Sequence, residues 1–202
     1  MEKEIPLRIG SCITIACTQL PTIIKTFKQE STAPIHLKIA SAKTIMNALN
    51  NNEIDIALYE GIQPNTNFIS IPLSSYTLAP ICSLEHHFTK QTNIALEDFL
   101  NETLILREQG SAIRDVFDNS LGTLEKRANP MMESTNSQAI IKAVEANLGV
   151  SLLPHHLIEN NPLLHSFQIK NTTLVNHNWI VYHKNKYQSI PFKTFLSLIE
   201  DK

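Results

Sequence analysis

The sequence predicts an α/β fold made of two lobes that are joined by two crossing strands. Three observations predict it. Strand-like and helix-like hydrophobic patterns alternate along the first half of the chain, the same alternation returns in the second half, and a long extended segment follows each half. Strands separated by helices favour parallel sheets with right-handed crossovers. With 202 residues, the chain is long enough for two lobes that each bury a core.

The spacing of apolar residues in the first half predicts a β-α-β-α-β unit. Strands are predicted at 7–10, 35–39 and 54–58, where apolar residues dominate or alternate with polar ones. Between the first two strands, apolar residues recur at spacings of three and four, which is typical of a helix that packs on a sheet. Pro21 lies inside this helix, where it removes a backbone donor and is expected to bend or open it.

The second half repeats the pattern. A strand at 104–106 precedes a helix with apolar residues at helical spacing, and an extended piece follows at 131–134. The next helix is predicted to carry Leu148 on its apolar stripe and to end at Gly149, a residue type that often ends helices. The strand "VSLLP" completes the second unit.

Two long extended segments connect the halves. One spans 68–83 and is interrupted by prolines, and the other spans 173–185 and leads into an amphipathic terminal helix. A chain that crosses twice can join two lobes through a pair of hinge strands, which leaves a cleft between the lobes. We therefore predict lobe I at 1–77 and 178–202 and lobe II at 78–177.

Composition and charge exclude several classes of protein. A net charge of −2 gives no sign that this chain binds nucleic acid by itself. No stretch approaches the roughly 20 apolar residues of a membrane span, and the N-terminal "MEKEIP" lacks the apolar core of a secretory signal. We expect a cytoplasmic protein without a membrane partner. Cys12, Cys17 and Cys82 show no CxxC spacing, which predicts buried free thiols.

Four loops are candidates for ligand binding, because open α/β sheets bind ligands beyond the carboxyl ends of their strands. They span 10–14, 40–44, 107–114 and 133–138, and each carries hydroxyl or amide side chains. The helices that follow them begin with backbone N–H groups that have no partner within the helix and carry partial positive charge. The loops predict a donor-rich wall for a small anion or carboxylate. Helix capping alone explains any single one of these side chains, but their repetition in both halves favours a binding site.

No residue pattern supports catalysis. The sequence contains no GxSxG, no HExxH and no glycine-rich phosphate loop. The pairs His86–His87 and His155–His156 are expected to point apart, since neighbours on a strand or a helix diverge. The sequence therefore predicts neither an enzyme nor a metal site, and it predicts no cofactor.

Two arginines flank the third candidate loop. Arg107 and Arg114 predict either charge pairing with an anionic ligand or salt bridges with Glu108 or Asp115. The salt bridges are the favoured interpretation.

The chain resembles the effector-binding domain of LysR-type transcriptional regulators over nearly all of its length. The resemblance rests on four segments in the family's order: "LRIGSCITIACTQLPTIIKTFKQ", "TIMNALNNNEIDIALYEG", "LILREQGSAIR" and "NSQAIIKAVEANLGVSLLP". The third corresponds to the family's "REPGSGTR", but Ala112 and Ile113 stand where the family has Gly-Thr. This loop therefore lacks a hydroxyl and some backbone freedom.

The resemblance implies two Rossmann-like lobes joined by two crossover strands, as in type 2 periplasmic binding proteins, with a small effector in the cleft. It implies a homodimer or homotetramer, and a winged helix-turn-helix that binds DNA and lies N-terminal to this domain, outside this chain. Peroxide-sensing relatives use a cysteine pair in the second lobe, whereas residues 84–202 contain no cysteine. By position, the family's ligand contacts correspond to Cys12 and Thr14 with Ser11 beside them, to Ser41 and Lys43, and to Thr135 and Asn136; Arg107 and Ser111 join them from the third loop.

Two functions are therefore compared. The leading one is a ligand-sensing regulatory domain, in which effector binding shifts lobe closure or dimer packing. The alternative is the solute-binding protein of a transporter, which shares the two-lobed architecture but carries a secretory signal. A helix-turn-helix coding sequence immediately upstream would favour the regulator, and a secretory signal would favour the transporter.

Overall fold

The computed structural model describes the backbone of residues 6–200 and the side chains of residues 6–199. Strands and helices alternate through most of this range. The strands are β1 (Leu7–Cys12), β2 (Ile35–Ala40), β3 (Ile56–Glu60), β4 (Phe68–Ser83), β5 (Asn93–Ile94), β6 (Ile105–Arg107), β7 (Met132–Ser134), β8 (Ser151–Pro154), β9 (Leu164–Ser166), β10 (Gln168–Ile169) and β11 (Val175–His183). The helices are α1 (Ile13–Thr18), α2 (Leu20–Glu30), α3 (Ala42–Asn50), α4 (Leu96–Asn101), α5 (Ala112–Gly122), α6 (Ser137–Glu145) and α7 (Ile190–Glu200).

The chain divides into two compact units. The first comprises residues 1–75 and 177–202, and the second comprises residues 76–176. Both divisions fall inside long strands, β4 and β11, so two extended segments carry the chain between the units. Within residues 6–200, no helix combines the length and apolarity that crossing a bilayer requires.

The first unit is built on a sheet with the strand order β2-β1-β3-β11. β1 runs parallel to both β2 and β3, while β11 is antiparallel to β3. One apolar core combines Ile9 of β1 with residues of α2 and α7, where the rings of Phe27 and Phe195 meet edge to face at 5.7 Å. This geometry confirms the predicted parallel β-α-β-α-β unit.

The first strand and helix differ from the prediction in one respect. β1 continues to Cys12, so Ser11 and Cys12 belong to the end of the strand and only Thr14 lies in the helix. The helix itself is interrupted at Gln19, with Pro21 in the first turn of α2. Pro21 has no N–H to offer and its ring would meet the carbonyl four residues earlier, which confirms the expected opening of the helix.

The described part of the second unit contains four strand pairings, and β4 takes part in two of them. The second half of β4 is antiparallel to β8 and β9, β6 is parallel to β7, and β5 is parallel to β10. One core lies around Phe99 and Phe117, whose rings meet edge to face, and another lies around Ile105 and Val144. The elements α4, β5, β9 and β10 have no counterpart in the sequence prediction.

The prediction for the end of α6 is wrong. The helix ends at Glu145, and Asn147 adopts a left-handed backbone with a φ of 56°. Leu148 is therefore turned off the apolar stripe and is 54% exposed. Gly149 does not end the helix; a Cβ there would lie 2.1 Å from the carbonyl oxygen of Thr103, so glycine permits the close approach of two backbones.

We expect Gly149→Ala to destabilise the protein by about 1–3 kcal/mol, because the atom that the new methyl group meets is backbone and cannot turn aside. Gly122→Ala is the matched control, since nothing lies within 4 Å of its Cβ position. The control should leave the free energy of unfolding unchanged or raise it by up to about 1 kcal/mol. Urea unfolding followed by circular dichroism measures both. Equal midpoints for the two variants would contradict the close approach.

A buried carboxylate, Asp55, generates a second prediction. Burial raises the pKa of Asp55, but hydrogen bonds from Arg8 and Lys186 outweigh burial and hold the pKa below its usual value. A lowered folded-state pKa contributes stability above the unfolded pKa of about 3.9, and this stability is lost as pH falls through the folded pKa. Asp55→Asn should therefore cost about 1–3 kcal/mol at pH 7.

The loss should shrink as the pH falls from about 4 through the lowered folded-state pKa, because the wild-type carboxylate then becomes protonated and loses its charge. Urea unfolding at pH 7 and at a series of acidic pH values measures it. The control is Glu53→Gln, which removes an exposed ion pair with Lys38 and should change the unfolding midpoint little. A pH-independent difference between Asp55→Asn and wild type would contradict the assignment.

Candidate functional site

The carboxyl ends of the parallel strands of the first unit lie side by side. Cys12 at the end of β1 is opposite Ala40 at the end of β2, and Ser11 is opposite Leu58 of β3. Ser41 follows one residue later as the N-cap of α3. The register thus brings the candidate residues of this half, Ser11, Cys12, Thr14, Ser41 and Lys43, to one edge of the sheet.

Their side chains have different local roles. Ser11 is 1% exposed, and its hydroxyl donates to the carbonyl of Cys12 at 3.0 Å. Thr14 is also buried, in the first turn of α1. Ser41 Oγ accepts a hydrogen bond from the Thr44 N–H at 3.4 Å, so it acts as a helix cap. Lys43 is exposed at the start of α3 and is the cation of this edge.

Cys12 lies at the centre of the edge. Its sulfur accepts the backbone N–H of Glu60 at 3.3 Å, and the side chain makes no cap hydrogen bond to α1. Burial raises the pKa of the thiol, and the Glu60 carboxylate raises it further. Cys12 is therefore a neutral, weakly polar group at neutral pH.

Sequence reasoning missed Glu60. This residue ends β3, is 3% exposed, and lies opposite Asn178 of β11, which is also buried. Asn178 Nδ2 donates to Ser74 Oγ at 2.8 Å, and Gln19 Nε2 donates to the same oxygen at 2.9 Å. The sequence contains a pattern that indicates Glu60: "IDIALYEG" ends an apolar strand with a carboxylate, just as "LRIGS" ends one with a hydroxyl. A buried carboxylate gives this edge acceptors as well as donors.

The second unit has a corresponding edge where β6 and β7 end. Arg107 lies opposite Ser134 in the parallel register and is 4% exposed. Its guanidinium donates to Glu108 at 2.9 Å, to the Ser134 carbonyl at 3.2 Å and to Ser137 Oγ at 3.1 Å. The favoured interpretation of Arg107, a salt bridge with Glu108, is confirmed.

Arg114 forms its ion pairs with residues that the sequence prediction did not name. Its guanidinium donates to Asp118 at 2.8 Å and to Glu133 at 2.5 Å. Asp118 is four residues along α5 and therefore lies on the same face of the helix, whereas Asp115 is one residue along and lies on another face. A hydrogen bond from Arg114 to the Arg107 carbonyl, at 3.1 Å, connects the two arginines.

The remaining candidates lie at the starts of two helices. Ser111 is the N-cap of α5 and is 3% exposed, but its hydroxyl makes no cap hydrogen bond. Asn136 is the N-cap of α6, and its Oδ1 accepts the Gln138 N–H at 2.8 Å. Thr135 is exposed beside it. Two helix starts and a buried arginine make this edge rich in donors, which suits an anionic group.

Two predictions for histidines and cysteines are wrong. His86 and His87 do not diverge, since their rings stack with centroids 4.4 Å apart. His86 has an extended backbone and precedes a short 3-10 turn at His87–Lys90. The pair therefore lies in neither a strand nor an α-helix, the two structures in which neighbouring side chains point apart. Cys12 and Cys82 are buried free thiols, but Cys17 is exposed because it lies on the outer face of α1. In contrast, His155 contacts Glu159 and His156 contacts Tyr76, as expected for side chains that point apart.

Comparison with known proteins identifies relatives of this chain. A family model for the LysR substrate binding domain matches residues 3–202. The chain is 31% identical to the HTH-type transcriptional activator CmpR of Synechocystis sp., over 98% of this chain and 66% of that protein. It is 28% identical to the transcriptional regulator YeiE of Escherichia coli, over 94% of this chain and 66% of that protein. The chain therefore spans about two thirds of the length of these relatives.

Solved structures share the fold. The effector-binding domain of QuiR in complex with shikimate superposes with a TM-score of 0.82 and 18% identity, covering 98% of this chain and 96% of that one. The regulatory domain of CcmR from Synechocystis PCC6803 in complex with 2-PG superposes with a TM-score of 0.83 and 21% identity, covering 97% and 96%. The predicted type 2 periplasmic-binding-protein-like fold is confirmed.

The different exposure of the three cysteines predicts that they differ in their reaction with a thiol reagent such as DTNB. We expect Cys17 to react in the native protein and Cys12 and Cys82 to react only after unfolding, since Cys17 is exposed and the other two are buried. Burial and the nearby Glu102 carboxylate raise the pKa of Cys82 to about 11, which keeps it a thiol. Counting released chromophore with and without urea measures the reaction. The Cys17→Ser variant should give no native reaction, and a rapid native reaction of that variant would contradict the burial of Cys12.

Proposed function

This chain belongs to the LysR substrate binding domain family, and on that premise we propose that it is the ligand-sensing part of a DNA-binding transcriptional regulator that binds a small anionic effector. The family match over residues 3–202 carries the proposal. The donor-rich edges of the two units support it, since the effector contacts inferred by resemblance fall on them. The expectation that both edges face one cleft stays a prediction.

The chemistry of the edges supports the choice of effector. In the second unit, Arg107 and the starts of α5 and α6 favour a carboxylate or phosphate. In the first unit, Lys43 adds a cation and Ser11 and Thr14 add hydroxyls, while the buried Glu60 favours a ligand that also carries a donor such as a hydroxyl. We therefore propose an effector that carries one anionic group and one or more hydroxyls. Structural neighbours bound to shikimate and 2-PG supply the first compounds to test.

The same premise supports a proposal for the other functions of the whole protein. We propose that DNA is bound through a winged helix-turn-helix N-terminal to this domain, that the protein acts in the cytoplasm as a homodimer or homotetramer, and that the domain turns over no substrate. Effector binding would then shift the balance between two arrangements of the assembly. The transporter alternative is not favoured, because the curated relatives are regulators.

The proposed site is tested by its effect on ligand-induced stabilisation. A ligand that binds only the folded state adds about 2.7 kcal/mol at a hundredfold excess over Kd, and a screen of small carboxylates and phosphates by thermal shift would identify such a ligand. The double variant Thr14→Val with Asn136→Leu should remain folded but lose most of this shift. Loss of the Asn136 cap destabilises the ligand-free protein by about 1 kcal/mol and so lowers its melting temperature. The ligand-induced shift is therefore measured from the melting temperature of each ligand-free variant.

Matched controls separate capping from contact. Thr14→Ser keeps the hydroxyl and Asn136→Ser keeps a cap acceptor, so both should keep most of the ligand-induced shift. Asn136→Asp also keeps the cap but adds a negative charge, which should weaken binding of an anionic effector. A double variant that responds to the ligand like wild type would show that the site is wrong, and an unaffected Asn136→Asp would show that the effector is not an anion.

A further inference from the structure

We infer that His86, His87 and Glu102 of the second unit form a binding site for one divalent transition-metal ion of the Zn²⁺ class. One ligand atom from each side chain lies within 4.8 Å of the others. His86 Nε2 is 3.5 Å from Glu102 Oε2, and His87 Nε2 is 3.2 Å from Glu102 Oε1. Tetrahedral zinc with bonds of about 2.0–2.1 Å holds its ligand atoms about 3.3 Å apart. Each histidine nitrogen therefore lies at nearly this spacing from one oxygen of the same carboxylate, and an ion can bind once the full set, which now lies within 4.8 Å, draws together.

The site is held in place by buried neighbours. Phe88 is 2% exposed, and its ring contacts the rings of both histidines, with centroids 4.8 and 4.6 Å away. Glu102 is the C-cap residue of α4, a helix that is anchored in the core by the fully buried Phe99. The three ligand groups come from two segments that the same core fixes, which lowers the entropic cost of bringing them together around an ion.

The chemistry of the three ligand groups favours one class of metal ion. Two imidazoles and one carboxylate suit Zn²⁺, Ni²⁺ or Co²⁺, whereas Ca²⁺ and Mg²⁺ prefer oxygen ligands alone. The side chain of His87 is 60% exposed, so water has access to complete the coordination.

Binding of an ion has a local consequence. His86 Nδ1 accepts the backbone N–H of Phe88 at 3.2 Å, so the neutral ring carries its proton on Nε2, which faces Glu102. A metal on Nε2 displaces that proton to solvent, and Nδ1 takes one up in its place. The hydrogen bond from Phe88 is then lost. Metal binding should therefore loosen the turn at His87–Lys90.

Isothermal titration of the untagged chain with Zn²⁺ tests the site. We expect one equivalent to bind, with affinity at least about tenfold weaker in His87→Ala and in Glu102→Gln. His87 is exposed and Glu102→Gln keeps the shape of the side chain, so both variants should fold, which circular dichroism checks. The control is the double variant His155→Ala with His156→Ala, a histidine pair that diverges, and its affinity should match wild type.

Failure to bind Zn²⁺, binding that survives both His87→Ala and Glu102→Gln, or binding that is lost in the control variant would overturn the proposal. Hydrogen exchange of the Phe88 amide gives a second readout. Zn²⁺ should accelerate this exchange in wild type and leave it unchanged in His87→Ala. Zn²⁺ bound at one equivalent with the Phe88 amide still protected would overturn the role of His86 as a ligand. The site lies outside the effector edges, so neither result depends on the proposed function.

Discussion

The parallel register of β1 with β2 and β3 is the constraint on which the first unit depends. Parallel strands must be joined by crossover helices, and they end at the same edge of the sheet, so every helix that follows them begins there. This one property places Ser11, Cys12 and Ser41 together. It also places Glu60 beside them. The second unit reaches a similar arrangement with only the short pair β6 and β7, whose register aligns Arg107 with Ser134.

Buried polar groups have different kinds of partner at the two edges. In the first unit, small groups pair locally: a hydroxyl with a carbonyl at Ser11, and a thiol with a backbone N–H at Cys12. In the second, the buried guanidinium groups of Arg107 and Arg114 are neutralised by Glu108, Asp118 and Glu133. A buried charge without such a partner would cost several kcal/mol. An anion that bound Arg107 would therefore have to add to or displace the existing ion pair with Glu108, which would favour ligands whose geometry matches the guanidinium.

Much of the fold and part of the site follow from local sequence patterns. Hydrophobic period locates β1 to β4, the long helices and β11 to within a few residues, because a buried face requires the same spacing in any fold. The strands β5 and β10, with 2 residues each, and the helix α4, whose 6 residues make less than two turns, carry too few positions to show their period. The end of α6 was misplaced because Asn147 takes the left-handed position that the prediction gave to Gly149.

The sequence alone determined the α/β class, the order of the main elements, the opening of the helix at Pro21 and the family, since these depend on residue types and spacings within short windows. Tertiary structure decided the rest. It brought Glu60 to the edge beside Cys12, gave Arg114 its distant partner Glu133, and turned two adjacent histidines onto Glu102. These contacts join segments that lie far apart in the chain. No local spacing of residues predicts such contacts, so only the packing of the folded chain specifies them.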